Sequence, residues 1–175
     1  MQPELETERL ILRPFLEQDC ERVCELAGDK RIADMTANIP HPYRYEDADS
    51  WIQTHHSDFD AGNSVVFAII LKTSGELIGA VSLPKISSGT GTLGYWLGVP
   101  FWGYGYAVEA SRGLIDFAHQ HFDLKYIEAQ HLVENTRSKR VITKLGMQYL
   151  DTQDLVRNNI LYPICTYRLS LEILK

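Results

Sequence analysis

The sequence has few of the features that mark membrane, secreted or nucleic-acid-binding proteins. None of its apolar runs approaches the length of about 18 residues from which a membrane-spanning helix is inferred. The opening stretch carries Glu4, Glu6 and Glu8 and no apolar segment, so no secretory signal is expected. Acidic side chains outnumber basic ones by 23 to 17 and no basic stripe is present, which argues against nucleic acid as a partner.

Cysteine is also scarce, and its placement does not indicate a metal site. The three residues are Cys20, Cys24 and Cys165, and their spacing matches no common metal-binding pattern. Cys20 and Cys24 fall on one face of a helix, where we expect them to be reduced core residues. His55 and His56 are adjacent and would diverge on a helix. We therefore expect a cytoplasmic protein with no metal cofactor and no membrane partner.

The hydrophobic pattern predicts a single folded unit. We expect one domain, 1–175, because 45% of the 175 residues are hydrophobic and no linker or repeat interrupts them. Alternating and helical apolar spacing predicts the order βααβββαβαββ. A helix joins the strand at 93–99 to the strand at 126–132, so these two strands should run parallel. The expected fold class is therefore α/β (α+β), with a mixed sheet.

The most informative stretch runs from Leu93 to Gly113. It begins as an apolar strand, which Pro100 ends because proline cannot donate to a sheet ladder. A loop with the small residues Gly103, Gly105 and Ala107 follows, and apolar residues then recur at helical spacing. A loop with few side chains before a helix offers free N–H groups and the positive end of the helix dipole. This combination predicts a binding site for a phosphate group.

Two runs in this stretch carry a family resemblance. The first is Gly94-Tyr-Trp-Leu97, and the second is Trp102-Gly-Tyr-Gly-Tyr-Ala107-Val-Glu-Ala110. Together they resemble the (Arg/Gln)-x-x-Gly-x-(Gly/Ala) motif of the GNAT superfamily of acetyl-CoA-dependent N-acetyltransferases. In the branch that acetylates the N-termini of ribosomal proteins, tryptophan often fills the position of Trp102.

Two further segments are similar to the same superfamily. Asn135-Thr-Arg-Ser138, followed by Lys144-Leu-Gly-Met147, resembles its Asn-x-x-Ser…Lys-Leu-Gly-Phe signature. The opening run from Glu6 to Phe15 resembles the start of the ribosomal-protein branch. The resemblance implies a central, mostly antiparallel mixed sheet that splays between its two parallel strands, flanked by about four helices.

The resemblance also implies acetyl-CoA as the co-substrate. The implied contact residues are Trp96, Leu97, Gly98, Trp102, Gly103, Tyr104, Gly105, Tyr106, Ala107, Asn135 and Ser138. At the end of the strand, a bulge at residues 97–98 is expected to turn a backbone N–H toward the acetyl carbonyl, because Gly98 makes such a turn sterically easy.

Three positions depart from the family pattern. Tyr104 stands where many relatives carry a basic residue. Thr92 replaces a glutamate that acts as a base through water, and Ile142 replaces a tyrosine that acts as a general acid. Positive charge at the loop would then have to come from Arg137, Lys139 or Arg140. These departures keep open an alternative function, a CoA-binding module with little catalysis.

The resemblance makes Ser138 a possible acid for the departing thiolate. The base is less clearly indicated, and four residues remain open: Glu128, Asp151, Asp154 and His131. Of these we favour Asp154 and His131. Glu109 lies in the first turn of its helix, where an acidic side chain is expected to be structural.

We expect direct acetyl transfer to a primary amine, since neither cofactor motif contains a cysteine that could form a covalent intermediate. Deprotonating an α-amine with a pKa of about 7.7–8.0 at pH 7 costs about 1–1.4 kcal/mol, whereas a lysine costs about 4.6 kcal/mol. A site without a strong base therefore favours a protein N-terminal amine. A small-molecule amine stays open, and the sequence indicates no oligomeric state.

Overall fold

The computed structural model describes residues 1–36, 38–157 and 160–172. Its strands are β1 (Leu5–Glu6), β2 (Leu10–Arg13), β3 (Val65–Leu71), β4 (Leu77–Ser87), β5 (Thr90–Leu97), β6 (Tyr126–Leu132), β7 (Gln148–Arg157) and β8 (Ile160–Ser170). Its helices are α1 (Cys20–Ala27), α2 (Lys30–Ala33), α3 (Tyr45–Gln53), α4 (His55–Asp60), α5 (Tyr106–His121) and α6 (Thr136–Lys144). The turn expected at Asn158 and Asn159 lies outside the described residues, as does Ile173. No helix in the described part is both long and apolar enough to cross a membrane.

The eight strands form one sheet in the order β1-β2-β3-β4-β5-β6-β8-β7. All neighbours are antiparallel except β5 and β6, which are joined through α5 and run parallel, as the sequence predicts. The parallel pairing extends only from Thr90, opposite Tyr126, to Leu93, opposite Ala129. Beyond Leu93, β5 continues to Leu97 paired with β4 alone. The sheet therefore splays between β5 and β6, and we call the space between residues 94–97 and 130–132 the β5–β6 cleft.

Helices cover the sheet on both faces and give it two cores. On one face α5 and α6 pack over the sheet, and Leu114, Ile127 and Ile142 are fully buried there. On the other face α1 and α3 cover β3 and β4 around Val23 and Ile52. Because β3 is covered on both faces, five of its seven residues are less than 6% exposed and no alternation of exposure appears along it.

The number and the boundaries of the helices differ from those expected. The single helix expected at 47–59 is interrupted at Thr54, whose hydroxyl donates to the carbonyl of Trp51 at 3.1 Å and competes with the helical backbone bonds. With the short helix α2, the described residues contain six α-helices where about four were expected. The prediction of a mixed sheet with one parallel pair is confirmed.

His55 gives the α1/α3 core a dependence on pH. Its ring is 7% exposed and packs edge-on against Phe15 and Trp51, and neither nitrogen bonds to any described residue. Burial lowers the pKa of His55 from its ordinary 6.5 to about 4, against a weaker opposing effect of Asp58. The unfolded chain then binds one more proton than the folded chain between these two pKa values. The free energy of unfolding should therefore fall by about 3 kcal/mol as pH drops from 7 to 4.

This prediction is tested by urea unfolding at pH 7 and pH 4. Replacing His55 by phenylalanine should reduce the acid-induced loss by that amount, because phenylalanine does not titrate. His56→Phe is the control, since the His56 side chain is 76% exposed. Equal acid-induced losses in the wild type and His55→Phe would contradict the assignment.

Candidate active site

The loop predicted to bind phosphate is open and rich in free donors. Gly103 and Gly105 have φ angles of +88° and +84°, which glycine adopts without strain, and both are exposed. A Cβ atom added at Gly103 would meet nothing within 4 Å. Among the described residues, no group accepts from the backbone N–H groups of residues 103–108. These donors surround the N-terminus of α5, which is the arrangement that binds a diphosphate.

Trp102 fixes this loop to its surroundings. Its indole Nε1 donates to the carbonyl of Leu97 at 2.8 Å, which joins the loop to the end of β5. The guanidinium carbon of Arg137 lies 4.3 Å from the centroid of the Trp102 ring, which joins the loop to α6. Of the three basic residues considered from the sequence, Arg137 is therefore placed beside the loop.

A second cation at the loop was missed by sequence reasoning. Arg9, just before β2, donates from Nη1 to the carbonyl of Tyr104 at 3.0 Å, and its guanidinium lies 4.6 Å from the ring centroid of Tyr106. A Cβ added at Gly105 would lie 3.6 Å from Nη2 of Arg9. The rings of Tyr104 and Tyr106 stack on each other at 5.7 Å. Arg9 thus places a guanidinium at the loop, where the Tyr104 side chain offers no cation.

Glu109 holds Arg9 in this position. One carboxylate oxygen accepts from the Thr7 hydroxyl at 2.6 Å and from the Arg9 N–H at 2.7 Å, and the other accepts from Arg9 Nε at 2.7 Å. Burial alone would raise the pKa of Glu109, but these hydrogen bonds and the charge of Arg9 outweigh it and lower the pKa below its usual value. The structural role predicted for Glu109 is confirmed.

The backbone of β5 directs two free donors into the β5–β6 cleft. The N–H of Gly98 donates to the carbonyl of Ile78 on β4 at 2.9 Å. Because N–H directions alternate along a strand, Tyr95 and Leu97 must point their N–H groups away from β4, toward the cleft. The bulge expected at residues 97–98 is absent, since the β4–β5 register shifts between Ser82 and Lys85 instead, and of these two residues it is Leu97 whose N–H faces the cleft. The lack of a side chain at Gly98 serves close packing instead, since an added Cβ would lie 2.6 Å from Leu26.

Trp96 faces away from the donor loop. It alternates with Tyr95 along β5, and its side chain packs with the α1/α3 core on the opposite face of the sheet. The structure therefore places Trp96 on the other side of the sheet from α5 and α6.

Ala107 is buried at the start of α5.

The N-terminus of α6 closes the cleft on the α5 side. Asn135 caps the helix by accepting from the Ser138 N–H at 3.0 Å, and its Nδ2 donates to the carbonyl of Met35 at 3.2 Å. The hydroxyl oxygens of Ser138 and Tyr95 lie 2.7 Å apart. Burial raises the pKa of Tyr95 to about 12, against a smaller opposing effect of the bond with Ser138. Ser138, Tyr95 and the loop donors thus surround one cleft.

The two favoured base candidates lie on different strands, and only His131 borders the cleft. His131 lies on β6 and is 5% exposed. Its Nδ1 lies 2.7 Å from the carbonyl oxygen of Leu132. Its buried Nε2 has no hydrogen-bond partner among the described residues. Asp154 is exposed on β7, an edge strand that β8 separates from β6 by about 10 Å in all. Neither side chain forms a hydrogen bond with Ser138. Asp151 lies on the same edge strand.

Glu128 is the neighbour, on the next strand, of Thr92, the position where the family pattern has a glutamate. It lies on β6 directly opposite Thr92 on β5, one residue before the pairing of the two strands ends. Its carboxylate accepts from Nε of Arg168 at 2.9 Å. With Thr92 it lines an open cavity of about 230 Å³ on the face of the sheet opposite α5, together with Lys85, Ser87 and Thr90.

Together these features define a transferase fold. In it the N-terminus of α5, which can bind an anion, lies beside the parallel strands β5 and β6, which splay apart. Residues 9–148 match the family described as Acetyltransferase (GNAT) domain, and the chain belongs to this family of acetyltransferases. Acetyl-CoA is the co-substrate of the class, and the free donors of the loop fit its diphosphate. No group of three or more metal-binding side chains occurs in the described ranges.

Similar proteins agree with this membership. The chain is 33% identical over 146 residues to the uncharacterized N-acetyltransferase p20 of Bacillus licheniformis, covering 82% of each protein. It shares the fold of RimL, a ribosomal L7/L12 α-N-protein acetyltransferase solved with coenzyme A, with a TM-score of 0.88 at 16% identity, covering 97% of this chain and 99% of that one. The chain also shares this fold with the microcin C7 self-immunity acetyltransferase MccE, which was solved with acetyl-CoA and AMP. The TM-score is 0.84 at 20% identity, and 94% of each chain is covered.

Proposed function

We propose that the protein transfers the acetyl group of acetyl-CoA directly to a primary amine, and that the amine is the N-terminal α-amine of a peptide or protein. The observation that carries this proposal is the set of unpaired backbone N–H groups at residues 103–108, which open beside the β5–β6 cleft. Arg137 adds positive charge at the same place, and Arg9, whose charge is paired by Glu109, adds guanidinium N–H groups. A diphosphate held there leaves the cleft as the path for a thioester arm.

The residues that line the cleft have separate roles in this proposal. The N–H groups of Tyr95 and Leu97 stabilise the negative charge that develops on the thioester oxygen. The amine nitrogen forms the new bond to the acetyl carbon while the carbon–sulfur bond breaks. Ser138 gives its proton to the departing sulfur and is reprotonated by water, and Glu128 receives the proton that the amine loses and releases it to water. No cysteine lies in either cofactor motif, so no acetyl group is carried by the enzyme.

The acceptor is proposed to enter from the face of the sheet that bears Glu128. The donor loop and α6 occupy one face, and the polar cavity beside Thr92 opens on the other. Glu128 is held in place by Arg168, whose Nε donates to its carboxylate. A site with a single carboxylate suits an α-amine, which costs only about 1–1.4 kcal/mol to deprotonate at pH 7. RimL, which shares this fold, is named for acetylating an α-amine.

The proposal is tested by release of free thiol from acetyl-CoA with a panel of amines. We expect turnover with a peptide that has a free N-terminus. The same peptide with an acetylated N-terminus and an internal lysine should react at least about 100-fold more slowly, because deprotonation of lysine costs about 3 kcal/mol more. Spermidine and an aminoglycoside represent small amines, and mass spectrometry locates the acetyl group on each product.

The outcomes separate the alternatives. Thiol release only with the small amines would keep the acetyl transfer and overturn the peptide acceptor. Tight CoA binding without thiol release above hydrolysis, for any amine, would overturn the transfer and indicate a CoA-binding module.

A further inference from the structure

A tyrosine hydroxyl reaches α6 from a neighbouring strand. The position on α6 where the family resemblance expects a tyrosine acid is Ile142, which is 0% exposed and has no proton to give. Tyr95 approaches the same helix from β5. It lies in the part of β5 that has already parted from β6, so its ring stands beside the cleft.

Both polar contacts of the Tyr95 hydroxyl are with one residue. Its oxygen lies 2.7 Å from the Ser138 hydroxyl oxygen and 3.3 Å from the Ser138 carbonyl oxygen. The 3.3 Å contact is longer than an ordinary O–H···O hydrogen bond, so the single phenol proton belongs to the 2.7 Å contact. The phenol is the stronger acid of the two hydroxyls and is therefore the donor there. The backbone N–H of Ser138 is held separately by Asn135 at 3.0 Å. Ser138 is therefore fixed at its N–H and at its side-chain oxygen.

We propose that Tyr95 is the positioning residue that makes Ser138 a proton donor to the departing thiolate. This inference rests on the acetyl transfer proposed above. When the phenol donates to the Ser138 oxygen, the proton of Ser138 turns away from Tyr95 and is available to the sulfur in the cleft. Donation to the serine oxygen also polarises its O–H bond, because hydrogen bonds in a chain strengthen one another.

The environment of Tyr95 suits this role across the working pH. Its pKa of about 12 keeps the phenol protonated, so it stays a donor wherever the amine is reactive. Without the phenol the serine hydroxyl is free to rotate among its rotamers and donates to the sulfur for only part of the time. The phenol itself needs no contact with the substrate, which separates its role from that of Ser138.

The test is a double-mutant cycle in steady-state thiol release. Ser138→Ala should lower kcat about 100-fold, as for loss of a general acid. Tyr95→Phe, which keeps the ring, should lower kcat about tenfold, as for loss of one hydrogen bond. The KM for acetyl-CoA should change less than twofold in both. The double variant should be no slower than Ser138→Ala, because Tyr95 acts only through Ser138.

Tyr149→Phe is the matched control. It removes a tyrosine hydroxyl that lies 2.8 Å from the hydroxyl of Thr152 on the edge strand β7, and it should leave kcat unchanged. Losses that multiply in the double variant, or a Tyr95→Phe loss that appears in KM, would overturn the positioning role while leaving the transfer intact. A wild type that releases no thiol would refute the transfer and the role together.

Discussion

Replacing Gly105 by valine is expected to reduce the affinity for CoA at least about 100-fold in a protein that still folds. Gly105 has a φ of +84°, where a β-branched side chain is strongly disfavoured. Its Cβ would also approach Nη2 of Arg9. The loop must shift, and the N–H groups of its neighbours lose their common direction. Loss of two hydrogen bonds to a charged diphosphate costs about 3 kcal/mol or more.

The measurement is calorimetric titration with CoA, and Gly75→Val is its control. Gly75 has a φ of +71° in the turn between β3 and β4, and an added Cβ there would meet nothing within 4 Å. This variant suffers the same backbone strain, about 1–2 kcal/mol, at a site remote from the cleft. It should lower the melting temperature and keep the wild-type affinity. A folded Gly105→Val variant with unchanged affinity would remove the loop from the co-substrate site.

Replacing Gly79 by alanine is expected to destabilise the protein by about 3 kcal/mol or more. Gly79 lies on β4 opposite Leu97, and an added Cβ would collide with the carbonyl oxygen of Trp96 and lie 2.9 Å from the Cα of Leu97. These are backbone atoms, so no side-chain rotation relieves the clash. The end of β5 must move away from β4. For a chain of this size the expected fall in melting temperature is about 6–12 °C.

Gly94→Ala provides the comparison within the same strand pair. Its Cβ would lie 3.2 Å from the Ser82 hydroxyl and 3.6 Å from the ring of Pro84, and the serine can rotate away. We therefore expect a loss below about 1 kcal/mol. Both variants are measured by thermal unfolding and by CoA titration. Equal stabilities of the two variants would contradict the close approach at Gly79.

The parts of the fold that the sequence predicted are those set by local chemistry. Pro100 follows directly after β5, which ends at Leu97, and the spacing of apolar residues from Ala107 onward favours a helix. The parallel direction of β5 and β6 followed from the helix that joins them. Glu109 was assigned a structural role from its place in the first turn of α5. Each of these inferences depends on neighbours close in the chain.

The parts that the sequence did not reveal depend on distant segments. Arg9 reaches the loop across 95 residues to bond the Tyr104 carbonyl, and no local pattern reports that contact. The N–H of Gly98 is committed to Ile78 because of the β4–β5 register, which composition does not determine. Glu128 was one of four open candidates, and only the strand order places it beside Thr92 and Asp154 on the edge strand β7.

The parallel pairing between β5 and β6 is short, and this affects the stiffness of the sheet. Only the residues from Thr90 to Leu93 are paired with β6, so backbone bonding between the two halves of the sheet stops halfway along β5. An extended molecule bound between Leu97 and Leu132 would lie where a further strand could pair. We therefore expect occupancy of the cleft to stiffen the sheet.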